Sequence, residues 1–366
     1  MKKKIIVIAG GVSPEHEISL QSAMNVVRYL NGDAYSIYPL LIDKTGSWLL
    51  REKPISDGEQ KDFDYKKYFS GEIHHKKQNM GTCLSRLIDL KPYAVIIMMH
   101  GPGGEDGKIQ GIFEMADIPF VGPDATACAA AMDKVITKMV IEQIGLSTPG
   151  YLIVHKSDWS TERKVILENI GELPGLPVFV KSPTLGSSYG MGIADTIEQV
   201  EGEIDRLFKQ NVRLIIERYI KGTELTVPIL GNSTDGSARA LPVIMIVPKK
   251  TRFFDLKAKY DNTITDEIVP APIDEDISRE CREEALRLYY ALGCDGLSRV
   301  DLIWDDRVRY FLEVNPIPGF TSASLYPKSA AADGISYPEL LDKLIEYARA
   351  SADIRKIQEF QSRGST

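Results

Sequence analysis

The chain is poor in cysteine: four residues, at positions 83, 128, 281 and 294, form neither a CxxC pair nor any other short spacing. That argues against a structural zinc site and fits a reducing compartment, so a cytoplasmic location is expected. Long hydrophobic runs are also missing. The longest, AVIIMM from Ala94 to Met99, is far below the roughly 20 residues needed to cross a bilayer, and no membrane partner is expected. Positive charge is in deficit, with 44 Lys and Arg against 51 Asp and Glu and a net charge of −7. A nucleic-acid partner is therefore not expected, because phosphate neutralisation needs a basic face. Nucleotides, which need only local cations, stay open.

A length of 366 residues predicts two or three domains sharing one large buried core. The basic start MKKKIIVIAGG has an apolar run of five that ends at Gly10 and Gly11 without a small-residue cleavage pattern, so it is read as a first strand. A glycine turn and a helix follow, with Ser13 at the N-cap and Pro14 at its first position. AVIIMM reads as a second strand, PFVG (119–122) as a short third, and TACAAAMDKVITKMVIEQIG as one helix capped by Thr126 and closed by Gly145. This first third is α/β with a parallel sheet. After Pro149 strands dominate, giving an antiparallel α+β region: PVFVK runs into a Gly/Ser loop, and RLIIERYIKGTELTVPIL is strand, turn, strand. FFDLKAKYDNTITDEIVPAPI (253–273) reads as a long functional loop, SRECREEALRLYYALG as an amphipathic helix, and YPELLDKLIEYARA as a last helix before a tail expected to fray.

The stretch RVDLIWDDRVRYFLEVNPIPG (299–319) places acceptor oxygens among strand-forming residues. Alternation puts Arg299 and Asp301 on one face and Glu313 and Asn315 on one face of the returning strand. Pairing Asp301 with Glu313 centres the hairpin on Arg307 and calls for an odd loop such as Asp306-Arg307-Val308. A two-residue loop would put the carboxylates on opposite faces. With the odd loop, carboxylate and amide oxygens converge into a set suited to Mg²⁺ or Mn²⁺. Pro316 and Pro318 stop the strand, and Gly319 permits a close backbone approach to a ligand.

Six blocks in order now carry a resemblance: GGxSxEHEISLxSA (10–23), HGPGGEDGKIQG (100–111), MDKVITK (132–138), GSSYGM (186–191), AKY (258–260) and EVNPIPGFTSASLYP (313–327). The chain resembles D-alanine:D-alanine ligases of the ATP-grasp superfamily. The resemblance implies an ATP-grasp fold behind an N-terminal parallel-sheet domain, divided as 1–128, 129–215 and 216–366. It implies that ATP phosphorylates one D-alanine carboxylate and that the amine of a second attacks the acyl phosphate, giving D-alanyl-D-alanine for peptidoglycan precursors. Two Mg²⁺ (or Mn²⁺) ions would be held by Asp301, Glu313 and Asn315, and a homodimer is the default.

The remaining roles come from the same resemblance. Arg299 and the Gly319 N–H would face the oxyanion. Lys134, Lys181 and Lys259 would hold phosphates. Glu217 would meet the adenine amino group, the Ile220 backbone the ring edge, and Glu224 the ribose. Glu15, with His100 nearby, would bind the first D-alanine's ammonium, in a network with Ser187 and Tyr260. Ser324 and the Leu325 N–H would take the second substrate's carboxylate. Tyr260 favours an amine acceptor. The chain departs from the pattern at Ser182, where a proline is usual, and at Tyr189. Two alternatives remain: a different second substrate such as D-serine, and a nucleotide-binding relative without catalysis, which the intact Arg299, Asp301, Glu313 and Asn315 disfavour.

Overall fold

A computed structural model describes residues 2–56, 58–70, 79–184, 191–248 and 265–363. Ser187, Tyr189, Lys259 and Tyr260 lie outside them, as does most of the segment expected to be a long loop.

The first sheet is built from β1 (Lys3–Gly10), β2 (Tyr35–Ile42), β3 (Trp48–Leu50), β4 (Ala94–Ile97) and β5 (Phe120–Val121), in the order β3-β2-β1-β4-β5. All pairs are parallel except β2–β3. Both faces of these strands are apolar, and each is covered by helices. The helices His16–Tyr29, Leu325–Ala332 and Tyr337–Arg363 cover one face; Met80–Leu90 and Lys108–Met115 cover the other. The last helix thus returns to the first sheet, and it continues through Arg363, where fraying was expected.

The second sheet, β6 (Tyr151–His155), β7 (Val178–Lys181), β8 (Met191–Ala194) and β9 (Arg213–Arg218), is antiparallel in the order β6-β9-β7-β8. Strict alternation sorts its side chains. Val178, Val180, Leu214 and Ile216 enter a core with helices Arg163–Glu172 and Ile197–Leu207, while Lys181 and Glu217 take the opposite face.

The third sheet has β10 (Thr223–Leu230), β11 (Arg239–Ala240), β12 (Ile244–Pro248), β13 (Thr265–Ile268), β14 (Leu297–Trp304) and β15 (Arg309–Asn315). Its order is β13-β12-β10-β14-β15, with β11 paired to β10. Leu225, Val227, Val300, Leu302 and Val314 pack on the helix Glu275–Ala291.

Several expectations need correcting. The single large core is instead divided into separate clusters: one on each face of the first sheet, one on the second sheet and one under the third. Strands β9 and β10 are not a hairpin: they belong to different sheets and the segment 219–222 links them. Thr265–Ile268, read as loop, is an edge strand on β12. The first helix starts at His16 rather than at Pro14, because Ser13 and Pro14 sit in a preceding turn in which the His16 amide donates to the Ser13 carbonyl.

The helix expected from Thr126 to Gly145 is two helices, Ala125–Met132 and Lys134–Gln143. Asp124, not Thr126, caps the first. Asp133 breaks the run with extended backbone (φ −88°, ψ 104°) and caps the second by accepting from the Val135 amide. Aspartate competes for backbone donors in this way wherever a helix can be interrupted.

Candidate active site

The first sheet reverses its strand order between β1 and β4, and the crevice beyond their carboxyl ends is where open α/β sheets place ligands. Ser19 ties the two strand ends together, accepting from the Gly10 amide at 2.7 Å and donating to the Met98 carbonyl at 2.6 Å. Glu15 and His100 project from these two ends. Gly101 sits between them with φ +69°, and a Cβ there would lie 2.7 Å from Glu15 Oε2, so only glycine lets the carboxylate lie against the backbone.

His100 is buried, with Nε2 3.3 Å from Ser22 Oγ, and Ser22 in turn accepts from the Phe320 amide. Burial lowers its affinity for a proton, although Glu15 acts in the opposite direction. Glu105, four residues beyond Gly101 in the turns that precede the helix Lys108–Met115, accepts from the Gly101 amide at 2.6 Å. Burial, reinforced by the Glu15 carboxylate, pushes its pKa up to about 8.

The hairpin β14–β15 delivers the acceptor oxygens. Asp301 pairs with Glu313 and Arg299 with Asn315, so all four share one face. The expected odd loop is not how this is achieved. Trp304 pairs with Arg309, and the Asp305 amide donates to the Val308 carbonyl, leaving Asp306-Arg307 as an even, two-residue tip. Alone, that tip would set the carboxylates on opposite faces. A β-bulge between Asp301 and Leu302, with Leu312 the extra residue, restores the common face.

Asp301 is held by a two-pronged Arg299 contact (2.9 and 2.8 Å), by Asn315 Nδ2 at 2.9 Å and by Thr226 Oγ1 at 2.5 Å. Thr226 lies directly opposite on β10, and Glu224 two residues earlier shares its face. Glu313 faces Lys134 Nζ at 2.9 Å. Burial alone would lower the Lys134 ammonium, but Glu313 raises it overall. Two carboxylates and an amide form an all-oxygen set, and the two carboxylates already face cations. That chemistry fits a hard divalent ion.

Lys134 owes its place to the helix break at Asp133: it becomes the first residue of its helix, and its amide donates to the Pro183 carbonyl just past β7. Lys181 Nζ and Lys138 Nζ lie 2.8 and 2.6 Å from the two oxygens of Glu217. Burial would raise the Glu217 carboxyl, but the two ammoniums outweigh it and hold it below the usual range.

Ile220 lies half-buried in the link between β9 and β10. Gly222 there has Trp304 so close that a Cβ would meet its carbonyl oxygen at 2.4 Å. Ser324 precedes the helix Leu325–Ala332, but its hydroxyl turns back to accept from the Thr321 amide rather than capping the helix, and it stands beside Gly319, where a Cβ would lie 2.9 Å from its Oγ.

One cavity brings together Glu15, His100, Arg299, Glu313, Asn315 and Gly319, and Glu105 and Lys134 also line it. Glu105, Lys138, Thr226 and Ser22 were not among the residues picked from the sequence. Each carried a signal: Lys138 is four residues from Lys134 on one helix face, Thr226 two from Glu224 on one strand face, and Glu105 and Ser22 lie inside recognised blocks.

The fold and the site define an ATP-grasp ligase that forms carbon–nitrogen bonds. The D-ala D-ala ligase N-terminus family matches residues 4–123 and the D-ala D-ala ligase C-terminus family residues 140–346; the chain belongs to the D-ala D-ala ligase family. The D-alanine--D-alanine ligase of Clostridium acetobutylicum is 35% identical over 354 residues, covering 95% of this chain and 98% of that protein. That of Bacillus pumilus is 34% identical, with 95% and 96% covered. Among solved structures, the D-alanine-D-alanine ligase of Coxiella burnetii superposes with a TM-score of 0.83 at 28% identity, covering 100% of this chain and 99% of that one. The VanG D-Ala:D-Ser ligase of Enterococcus faecalis does so at 0.81 and 31%, covering 95% and 100%.

Proposed function

We propose that this protein joins two D-alanines at the expense of ATP, making D-alanyl-D-alanine for peptidoglycan precursors, as a cytoplasmic homodimer. The observation that carries the reading is the shared face of Arg299, Asp301, Glu313 and Asn315, opening into the same cavity as Glu15, His100 and Gly319. A carboxylate is a poor electrophile. Its oxygen attacks the γ-phosphorus of ATP and ADP leaves; the second amine then attacks the acyl carbon and phosphate leaves.

In this reading Asp301, Glu313 and Asn315 hold two Mg²⁺ or Mn²⁺ ions, which supply charge neutralisation along the phosphates. Glu15 and His100 orient the first D-alanine through its ammonium. Arg299, fixed by Asp301, and the Gly319 N–H meet the oxygen that gains charge during amine attack. Ser324 and the Leu325 N–H take the second carboxylate, one residue cluster away from Gly319. Lys134 and Lys181 neutralise phosphates, Glu217 and Ile220 meet the base, and Glu224 the ribose. By the same resemblance Ser187 and Tyr260 would join the network around Glu15 and Lys259 would meet the γ-phosphate; all three lie outside the described residues. Among the described residues no helix is long and apolar enough to cross a membrane.

The likeness to the D-Ala:D-Ser ligase favours a second reading, in which the acceptor is D-serine. One experiment separates them: ADP release with Mg²⁺ across D- and L-amino acids and D-hydroxy acids, with products identified by mass. D-alanine alone giving the dipeptide supports the first reading. Product formed only in D-alanine and D-serine mixtures supports the second, and no ADP release with any pair refutes both.

A further inference from the structure

Lys138 is fully buried, an arrangement that costs several kcal/mol unless a fixed anion faces the ammonium. It lies one helical turn beyond Lys134, so a single helix face sends one lysine to the metal-site carboxylate Glu313 and the next to Glu217. Its Nζ stands 2.6 Å from Glu217 Oε2 and donates to Thr148 Oγ1 at 2.6 Å; Thr148 donates to the Phe311 carbonyl on β15 at 2.8 Å. The Tyr151 ring, on the strand beside Glu217, lies 5.4 Å from the same ammonium.

Lys181 holds the other oxygen, Oε1, but it is not equivalent. Its side chain keeps 13% of its exposure, against none for Lys138. Lys181 is therefore the partner able to turn toward an incoming phosphate, and Lys138 is the one left behind the carboxylate.

We propose that Lys138 is a positioning residue that sets the choice of nucleobase, anchoring Glu217 as an acceptor for a purine bearing an amino group at C6 and so disfavouring a 6-oxo purine. The proposal rests on the reading that Glu217 faces the base. An anchored carboxylate accepts from the 6-amino group of adenine, whereas it sets acceptor against acceptor with hypoxanthine. Without Lys138, Glu217 would depend on Lys181, and the same lysine would be drawn away from the phosphates. Loss of Lys138 thus weakens nucleotide binding more than it slows the chemistry.

The test compares ATP with inosine triphosphate in steady-state nucleoside diphosphate release by the full chain, for the wild type, K138M, K138R and E217Q. The expected result is that K138M lowers the ATP-to-ITP ratio of kcat/KM at least about tenfold, through KM for ATP rather than kcat, that K138R restores part of it, and that E217Q lowers it too. An unchanged ratio in K138M with a lowered ratio in E217Q overturns the role of Lys138 alone. An unchanged ratio in E217Q overturns the base contact and this proposal with it. If K138M does not fold, K138Q, whose shorter neutral side chain removes the ion pair with Glu217, is read in its place against the same two outcomes.

Discussion

Two buried glutamates at opposite ends of the site behave in opposite ways. Glu217 is 3% exposed and is held charged; Glu105 is 9% exposed and its pKa is pushed up to about 8. Burial is common to both, so it does not decide the charge. Partners do. Glu217 has an ammonium on each oxygen, whereas Glu105 has a backbone amide and a second carboxylate, Glu15, for a neighbour. The nucleotide end thus sets one carboxylate between two lysines, and the amino-acid end sets two carboxyl groups beside a backbone amide.

The comparison can be broken most forcefully at Glu217. In E217Q two ammoniums lose their carboxylate, one of them fully buried, and the native state should lose about 3 to 5 kcal/mol by denaturant titration; a loss near zero would mean that the two ion pairs contribute nothing. At the other end, G101A tests the backbone. The residue has φ +69° and its Cβ would crowd Glu15, so a cost of about 1 to 3 kcal/mol is expected, together with a raised KM for D-alanine.

Glu105 gives a signed pH effect. Its proton is retained in the folded chain up to about pH 8 and lost from the unfolded chain near the ordinary 4.5. The folded state binds more protons across that window, so its stability falls as pH rises from about 4.5 to 8. E105Q stays neutral throughout. Measured as the difference in unfolding free energy, the wild type should lose ground to E105Q between pH 5 and pH 8, and a gap that is flat or of opposite sign would show Glu105 to be ionised. The smallest effect belongs to E142Q. Glu142 is exposed and reaches Lys138 only through a long-range attraction, so its removal should change stability by no more than about 0.5 kcal/mol.

Much of this site was readable as pattern. Strand alternation alone puts Arg299 with Asp301 and Glu313 with Asn315, and helical spacing marks the amphipathic helix Glu275–Ala291 that packs under β14. What stayed hidden depended on a local competition for backbone donors in one place and on contacts remote in sequence in the others. Apolar periodicity runs unbroken through Met132-Asp133-Lys134, and only a local competition for amide donors shows that Asp133 splits the helix. RLIIERYIKGTELTV has the texture of a hairpin, yet its halves lie in different sheets, β9 between β6 and β7 and β10 between β12 and β14. Glu105 and Lys138 were inside recognised motifs, but nothing in a linear spacing says that a charged side chain will be sealed from water.

Leu312 gives the hairpin a property that chain length alone does not reveal. The bulge adds one residue on the returning strand, and the tip beyond it is even; together they reach the same parity as an odd tip with no bulge. Removing Leu312 and inserting one residue beside Arg307 would leave the total length unchanged and return Asp301 and Glu313 to a common side. Either change by itself turns one carboxylate away from the other. Compensating indels across this ribbon are thus a route by which such chains can exchange tip length for bulge while the metal-facing carboxylates stay together.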